Sequence, residues 1–168
     1  PHHENEIAQS EAANGCCFSK YWMHNGFLNI DNKKMSKSLG NFFTVRDIAE
    51  KYDLQVLRFF MLSAHYRSPL NFSDSLMEAA KNGLERIVTA GEKIREVMAN
   101  GKDGDISQEE EQLLNDAKVF VTKFEEAMDD DCNTANAITA VFELVKFSNS
   151  NLSDNSSKEF AKSLYDIL

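Results

Sequence analysis

The second half of the chain carries apolar residues at helical spacing, and this pattern constrains the fold more than any other feature. From residue 76 onwards, apolar or small side chains recur at steps of three and four residues, which places them on one face of a long helix; they are Leu76, Ala80, Leu84, Ile87, Gly91, Ile94 and Met98. Similar stripes surround Phe120, Ile138 and Phe160. Because each amphipathic helix must bury its apolar face, the pattern predicts an antiparallel bundle of four helices.

Polar residues that favour helix N-termini precede each of these stripes. The segment Ser107-Gln-Glu-Glu110 is a capping box. Helix starts are also predicted at Ser75, at Asn133 or Thr134, and at Ser156.

The first part of the chain has a mixed pattern. Residues 3–13 predict a helix that ends at Asn14-Gly15, and residues 18–30 are aromatic and typical of strand-like structure. Residues 31–41 show no hydrophobic period and are interpreted as a loop. Thr44-Val-Arg-Asp47 resembles a capping box that opens a short helix, and a second, largely buried helix is predicted over 54–66. The bundle is expected to begin after Ser68-Pro69, since proline disfavours helix at the preceding residue.

The composition predicts a folded, soluble protein. Only seven glycines and two prolines occur among 168 residues, and 42% of the residues are hydrophobic, which argues against a disordered chain. No stretch approaches the roughly 18 apolar residues that a membrane-spanning helix needs. Three cysteines, two of them adjacent, do not form a disulfide framework, so a reducing, cytoplasmic location is expected.

The net charge of −9 is concentrated in one segment. Residues 105–131 hold ten acidic side chains against Lys118 and Lys123. Because like charges repel a polyanion, the overall charge does not predict nucleic-acid binding. A local basic spot remains at Lys33, Lys34 and Lys37.

The basic spot lies in the segment Lys34-Met-Ser-Lys-Ser38, which Gly40 follows two residues later. Two ammonium groups three residues apart, with a third at Lys33 and two hydroxyl groups between and beside them, can surround a polyphosphate. Such a loop stabilises the negative charge that develops on a leaving pyrophosphate. The alternative, on composition alone, is an ordinary solvated surface loop.

A family resemblance favours the first interpretation. Residues 34–38 match the KMSKS motif of class I aminoacyl-tRNA synthetases, and the extended string 34–47 is more specific. Together with residues 1–11, it closely resembles the cysteinyl-tRNA synthetase family, which 65–68 and 129–134 also resemble. The resemblance implies a mainly α chain that combines the end of a Rossmann-type α/β catalytic domain with an antiparallel helical bundle of the anticodon-binding type.

The resemblance also implies a division of the chain and an activity. Residues 1–30 would be the C-terminal remnant of the catalytic domain, 31–68 the KMSKS loop with a helical connector, and 69–168 an incomplete tRNA-binding bundle. The expected enzyme is a cysteine–tRNA ligase, whose partners are ATP with Mg²⁺, L-cysteine and tRNA(Cys), with no membrane. The expected ATP-binding residues are Lys34, Met35, Ser36, Lys37 and Ser38, of which Lys34 and Lys37 would be catalytic.

His2 and Glu6 are candidate zinc ligands. They are four residues apart, so on a helix both side chains lie on one face. Two ligands alone do not make a zinc site, and a surface or capping role is the alternative. In the resembled family, the matching residues join two upstream cysteines around zinc, and the substrate thiolate fills an open position. Because a hydroxyl is a poorer zinc ligand, this arrangement separates cysteine from serine. His3 and Glu4 are candidates for supporting contacts to the ligands.

Other residues whose side chains could take part in catalysis or binding have simpler interpretations. Cys16 and Cys17 are interpreted as structural or incidental, and Cys132 is expected to be partly buried beside a helix start. Residues 22–24 are expected to pack, with contact to adenine or substrate as the alternative. Asp129, Asp131 and Asn133 imitate a calcium loop but lack its later positions. The only clustered bundle residues that could meet tRNA phosphates are Lys81, Arg86, Lys93 and Arg95, although an exposed helix face also explains them.

Two alternatives remain open from the sequence. A cysteine ligase of mycothiol synthesis resembles the same catalytic domain, and a requirement for tRNA would separate it from the synthetase. A noncatalytic module that binds tRNA or a protein partner is the second alternative. The chain lacks an initiator methionine and is interpreted as a fragment, so these 168 residues alone are expected to be inactive.

Overall fold

The computed structural model describes the backbone of residues 1–168 and all their side chains except that of Lys37. The predicted mainly α fold is confirmed. The elements in chain order are α1 His2–Asn14, β1 Leu28–Ile30, β2 Lys33–Lys34, α2 Val45–Ala49, α3 Leu54–Leu62, β3 Leu70–Phe72, α4 Asp74–Asn100, α5 Gln108–Asp129, α6 Thr134–Asn151 and α7 Lys158–Ile167, with one 3₁₀ turn at Lys37–Leu39.

The three strands form one small sheet in the order β2-β1-β3, in which β1 is antiparallel to β2 and parallel to β3. The prediction of strand-like structure over 18–30 is therefore wrong outside Leu28–Ile30. The loop predicted over 31–41 also contains β2 and the 3₁₀ turn. Strand length is set by how many residues meet a partner strand. The partner that limits β1 is β3, 42 positions further along the chain, whereas β2 forms because Lys33 and Lys34 pair with β1 across a local hairpin.

The first helices begin and end close to their predicted positions. Gly15 ends α1 with φ +65°, a left-handed conformation that glycine adopts without strain, and its N–H donates to the Glu11 carbonyl. The capping box of Thr44 and Asp47 opens α2 as predicted. Helix α3 ends at Leu62 rather than 66, because the Ser63 hydroxyl donates to the Phe60 carbonyl (2.7 Å) and the chain then turns away.

Helices α4 to α7 form the predicted bundle around one apolar core. Contacts join α5 to α6, α4 to α7, α5 to α7 and α4 to α6. The most enclosed side chains include Phe160 and Leu164 of α7, Ile94 of α4 and Ala117 of α5. In the described part of the chain, none of the helices has both the length and the apolar character that crossing a membrane requires.

Two of the four predicted bundle caps are shifted. Ser107 with Glu110 caps α5, and Asn133 caps α6, as predicted. Helix α4 is capped by Ser73 instead of Ser75, and α7 by Ser157 instead of Ser156. In each pair a second serine stands nearby, and the backbone conformation selects the one whose oxygen reaches the N–H three residues later.

A second apolar cluster joins the sheet to the helices. It contains Ile30 of β1, Phe72 of β3, Val56 and Phe60 of α3, and Met77 of α4. Helix α3 also contacts α4 and α6. The sheet that carries residues 31–41 therefore rests on the same helices that begin the bundle.

The loops at one end of the bundle are tied together. The N–H of Lys102 donates to the Ser156 carbonyl (3.0 Å), and the N–H of Lys158 donates to the Lys102 carbonyl (3.0 Å). The Glu110 carboxylate accepts from the Ser107 N–H (3.0 Å), from the Ser157 N–H (2.8 Å) and from the Ser157 hydroxyl (3.0 Å). Burial opposes the ionisation of Glu110, but these hydrogen bonds outweigh it and lower the pKa of the carboxyl below its usual value.

Candidate functional site

The lysine loop, residues 31–41, starts with a tight hairpin turn. Asp31 and Asn32 connect β1 to β2 with φ of +47° and +61°. A two-residue turn with both φ values positive matches the twist of the strands it joins, and aspartate and asparagine tolerate this conformation better than most residues. The Asn32 N–H donates to Oδ1 of Asn71 (2.6 Å), and the Asp31 N–H donates to the Phe72 carbonyl (3.0 Å). The turn is therefore fixed to β3.

The second half of the lysine loop is closed by the side chain of Asn41. Its Oδ1 accepts from the Ser36 N–H (2.9 Å), and its Nδ2 donates to the Lys34 carbonyl (3.2 Å). The hydroxyls of Ser36 and Ser38 are 2.8 Å apart, and Gly40 has φ +68°. The sequence analysis did not single out Asn41. An asparagine directly after a glycine is a turn signal that could have indicated it.

The described side chains of the lysine loop have distinct environments. Lys33 and Lys34 are exposed, whereas Met35 is half-buried and packs on the apolar cluster of the sheet. Met35 also lines an apolar cavity with Phe43 and Leu57. The role of Met35 in ATP binding stays a prediction. The predicted catalytic role of Lys37 concerns a side chain that lies outside the described residues.

The capping box of α2 follows the lysine loop and keeps its carboxylate occupied. The Asp47 carboxylate accepts from the Thr44 N–H (2.7 Å) and from the Thr44 hydroxyl (2.9 Å). These hydrogen bonds, that of the N–H first, lower the pKa of Asp47 below its usual value. Because Asp47 is held by Thr44, its charge is directed to the start of α2.

Helix α1 carries the candidate zinc ligands. His2 and Glu6 are one helical turn apart, and Nδ1 of His3 lies 3.3 Å from Oε2 of Glu6. An imidazole and a carboxylate are donors that suit zinc, and a second group that orients the carboxylate is a common feature of metal sites. Among the described side chains, no group of three or more His, Cys, Asp or Glu could hold a metal ion. The chain therefore supplies two fitting donors and not a complete site.

Aromatic side chains gather beside α1. The His3 ring meets Trp22 edge-on at 5.7 Å between centroids and His24 at 4.9 Å, and Trp22 stacks on His24 at 6.1 Å. Phe18 contacts Trp22 at 5.6 Å. The turn after Gly15 returns the chain to α1 and makes this cluster possible. The packing expected of residues 22–24 is therefore limited to ring contacts of Trp22 and His24, which stay exposed, and it is wrong for Met23, which is 62% exposed.

The three cysteines are exposed, and one of them lies beside an acidic residue in a tight turn. Cys16, Cys17 and Cys132 are all exposed, so the expected partial burial of Cys132 is wrong. Cys132 has φ +55° in the turn between α5 and α6, where the chain reverses direction away from the core. Next to it, Asp131 accepts hydrogen bonds from Tyr66 and Arg67.

Two of the basic residues of α4 rest on aromatic rings of the bundle. The Arg86 guanidinium lies 5.3 Å from the ring centroid of Phe142, and the Arg95 guanidinium lies 5.8 Å from that of Tyr165. Both arginines are exposed and can contact a partner while resting on these rings. Their role toward tRNA stays a prediction.

Comparison with known protein families defines the class of protein. Residues 1–82 match the family model of the tRNA synthetases class I (C) catalytic domain, and residues 123–168 match that of the DALR domain. The chain thus combines a segment of a class I synthetase catalytic domain with a DALR domain.

Several cysteine–tRNA ligases are similar to nearly the whole chain. The chain is 65% identical to a cysteine–tRNA ligase of Lachnospira eligens over 164 residues, which are 98% of the chain and 35% of the relative. It is 57% identical to that of Clostridioides difficile over 99% of the chain and 36% of the relative. It is 56% identical to that of Geobacter metallireducens over 89% of the chain and 31% of the relative. The chain is thus similar to cysteine–tRNA ligases over nearly its whole length and spans about a third of the length of these relatives.

Proposed function

We propose that the protein to which this chain belongs is a cysteine–tRNA ligase. It would activate cysteine with ATP to cysteinyl-adenylate and pyrophosphate and then transfer the cysteinyl group to tRNA(Cys), in the cytoplasm. The observation that carries this proposal is the lysine loop, which presents its lysines on a hairpin fixed to β3 and closed by Asn41. The similarity to cysteine–tRNA ligases over nearly the whole chain supports it.

The lysine loop would act by positioning and charge. Lys34 and Lys37 would stabilise the phosphates of Mg²⁺-bound ATP as negative charge moves onto the leaving pyrophosphate. The hydroxyls of Ser36 and Ser38, with Met35 anchored in the apolar cluster, would hold the loop against the nucleotide. Because the reaction transfers the acyl group between bound substrates, no side chain has to serve as a nucleophile.

His2 and Glu6 would supply two of the ligands of a zinc ion, with the remaining protein ligands outside this chain. Zinc would supply a soft site for the cysteine thiolate. His3 would orient the Glu6 carboxylate through its 3.3 Å contact. Residues 1–30 and 31–68 would then be the catalytic remnant and connector, and 69–168 would bind tRNA, with Lys81, Arg86, Lys93 and Arg95 available to its phosphates.

The test is ATP–pyrophosphate exchange by the full-length protein with cysteine or serine. Exchange is expected with cysteine only. Lys37→Ala and Lys34→Ala should each lower the exchange rate by about 100-fold, the size typical of losing one stabilising group. Lys20→Ala, which removes an exposed lysine outside the lysine loop, is the matched control and should leave the exchange rate unchanged.

The outcomes distinguish the alternatives. Cysteine-dependent exchange together with charging of tRNA(Cys) supports the ligase. Exchange without tRNA charging would favour the cysteine ligase of mycothiol synthesis. No exchange by folded, zinc-loaded protein would favour a noncatalytic binding module and contradict the proposal.

A further inference from the structure

A polar network connects the segment after α3 to the turn between α5 and α6. The Tyr66 hydroxyl donates to Oδ1 of Asp131 (2.7 Å), Nε of Arg67 lies 2.9 Å from Oδ2, and Nε2 of His65 lies 3.7 Å from Oδ2. Residues 65–67 and Asp131 are called the Asp131 network. Nδ1 of His65 accepts from the Arg67 N–H (3.2 Å), which leaves the proton of a neutral ring on Nε2, facing Asp131. Three consecutive residues thus converge on one carboxylate.

The turn that carries Asp131 has a specialised backbone. Asp131 and Cys132 have φ of +56° and +55°, a left-handed conformation that is unfavourable for most residues and least so for aspartate and asparagine. Hydrogen bonds from the Cys132 N–H to Met128 and from the Asn133 N–H to Ala127, both 3.0 Å, hold this turn at the end of α5. The position of the Asp131 carboxylate is therefore fixed relative to α5 and α6.

The other side of the network is fixed to the sheet. The Tyr66 carbonyl accepts from the Gly26 N–H (2.7 Å), and the Leu70 N–H donates to the Phe27 carbonyl (2.8 Å). A Cβ at Gly26 would lie only 2.3 Å from the Ser68 carbonyl oxygen, so the two segments approach as closely as their backbones allow. Since β1 follows directly and leads into the lysine loop, these hydrogen bonds and the backbone of β1 together connect Asp131 to that loop.

The Asp131 network is one of two charged, directional contacts between the sheet region and the bundle; the other joins Lys51 (2.7 Å) and Tyr52 (3.1 Å) to the Asp74 carboxylate at the start of α4. Much of the remaining contact is apolar, as where Gly83 of α4 faces Phe59 of α3 and Phe142 of α6. Apolar surfaces resist separation but only weakly resist sliding, whereas charge-assisted hydrogen bonds have a preferred direction. Arg67 is 66% exposed, so its ion pair adds little stability by itself. The network is suited to setting an orientation rather than to holding the parts together.

We propose that Asp131 is a positioning residue that sets the orientation of the tRNA-binding bundle relative to the lysine loop during aminoacyl transfer. This inference rests on the proposed function. Adenylate formation needs only ATP and cysteine at the catalytic end, so it does not depend on the orientation of the bundle. Transfer requires the tRNA end to reach the adenylate and therefore does.

The test compares Asp131→Asn with wild type in the full-length protein. Asparagine tolerates the left-handed backbone and keeps one acceptor oxygen, so the substitution removes the charge without straining the turn. The kcat/KM for tRNA charging is expected to fall about tenfold, within the range of measured coupling between sites, while cysteine-dependent exchange stays within about twofold. Asp130→Asn, an exposed neighbour on the same turn, should leave both activities unchanged.

A second variant separates positioning from folding. Tyr66→Phe keeps the ring and removes only the hydroxyl that donates to Asp131. It should also lower the kcat/KM for tRNA charging. In the double variant, this kcat/KM should fall by less than the two separate effects combined, because both residues belong to one network. If Asp131→Asn lowers the melting temperature, the result for Tyr66→Phe decides.

Two results would overturn the inference. One is a wild-type kcat/KM for tRNA charging in Asp131→Asn or, if that variant has a lowered melting temperature, in Tyr66→Phe. The other is an equal loss of exchange and of charging in the same variant. Failure of the wild-type protein to perform cysteine-dependent exchange would instead refute the proposed function, and the inference with it. The wild-type measurement therefore shows which of the two proposals has failed.

Discussion

The bundle and the first 27 residues are built on opposite principles. In the bundle, Phe160, Ala161 and Leu164 of α7 have no exposed surface, and the core lies between all four helices. In residues 1–27 no side chain is buried, and Tyr21 and Phe27 are 88% and 77% exposed. The bundle is held by its own apolar residues, whereas the candidate zinc ligands and aromatic cluster lie where few contacts restrain them. Candidate chemistry and stability therefore reside in different parts of the chain.

The largest expected difference between the two regions concerns a single large side chain. Phe160→Ala should lower the free energy of unfolding of the bundle by about 3–5 kcal/mol, because it leaves a cavity among fully enclosed residues. Tyr21→Ala should change it by less than about 0.5 kcal/mol. Urea unfolding followed by the helical circular dichroism signal measures both. Equal effects would contradict the contrast between the regions.

Glycine substitutions should act with opposite signs in the two regions. Gly26→Ala forces a Cβ to within 2.3 Å of the Ser68 carbonyl oxygen and should destabilise the sheet by about 1–3 kcal/mol. Gly91→Ala in α4 has no heavy atom within 4 Å of the new Cβ and should stabilise the bundle by about 0.5–1 kcal/mol through helix propensity.

Melting temperatures of the two glycine variants against wild type provide the measurement. Hydrogen exchange at Leu70 and Phe72 locates the effect of Gly26→Ala in the sheet. If Gly91→Ala lowered the melting temperature, the space beside Gly91 would be too small for a methyl group.

A smaller loss of stability than at Phe160 or Gly26 is expected at Glu110, which joins the starts of α5 and α7. The pKa of Glu110 is lowered in the folded protein. Its hydrogen bonds therefore stabilise the fold fully above the pKa of the unfolded chain, about 4.5, and this stabilisation is lost as the pH falls through the pKa of the folded protein. Glu110→Gln should cost about 1–2 kcal/mol at neutral pH and make stability less dependent on pH below 4.5.

Glu109→Gln, one position away and exposed, is the matched control for Glu110. It should retain the wild-type loss of stability in acid. Urea unfolding at several pH values between neutrality and the acid range tests both variants. An identical acid profile for Glu110→Gln and wild type would show that the carboxylate is not the group responsible.

The sequence was most informative where structure is decided locally. The boxes of Thr44 with Asp47 and of Ser107 with Glu110 form as predicted, since all the partners lie within four consecutive residues. Where two serines stand close together, as at Ser73 and Ser75, the choice depends on backbone geometry that letters do not show. The prediction of a long strand before residue 30 was wrong because β3 determines how much of it is paired.

The candidate site was predictable to a similar extent. The lysine motif and the His2–Glu6 spacing are visible in the sequence, and their roles stay predictions. Asn41 lies within seven residues of the groups it binds, and a closer reading of the turn could have identified it. The Asp131 network could not be predicted from local patterns, because Tyr66 and Asp131 are 65 positions apart. Long-range polar contacts produce no periodic pattern in the amino-acid sequence.

The position of α7 in the bundle has a consequence for synthesis. Phe160 and Leu164 fill the centre of a core whose other walls are Ile94, Ala117 and Leu144, residues that leave the ribosome earlier. Until residues near 164 have emerged, the apolar faces of α4 to α6 lack their central side chains. At about 5–20 residues per second, the interval between the emergence of Ile94 and that of Leu164 lasts several seconds. During that interval the nascent bundle is exposed to aggregation and to chaperones.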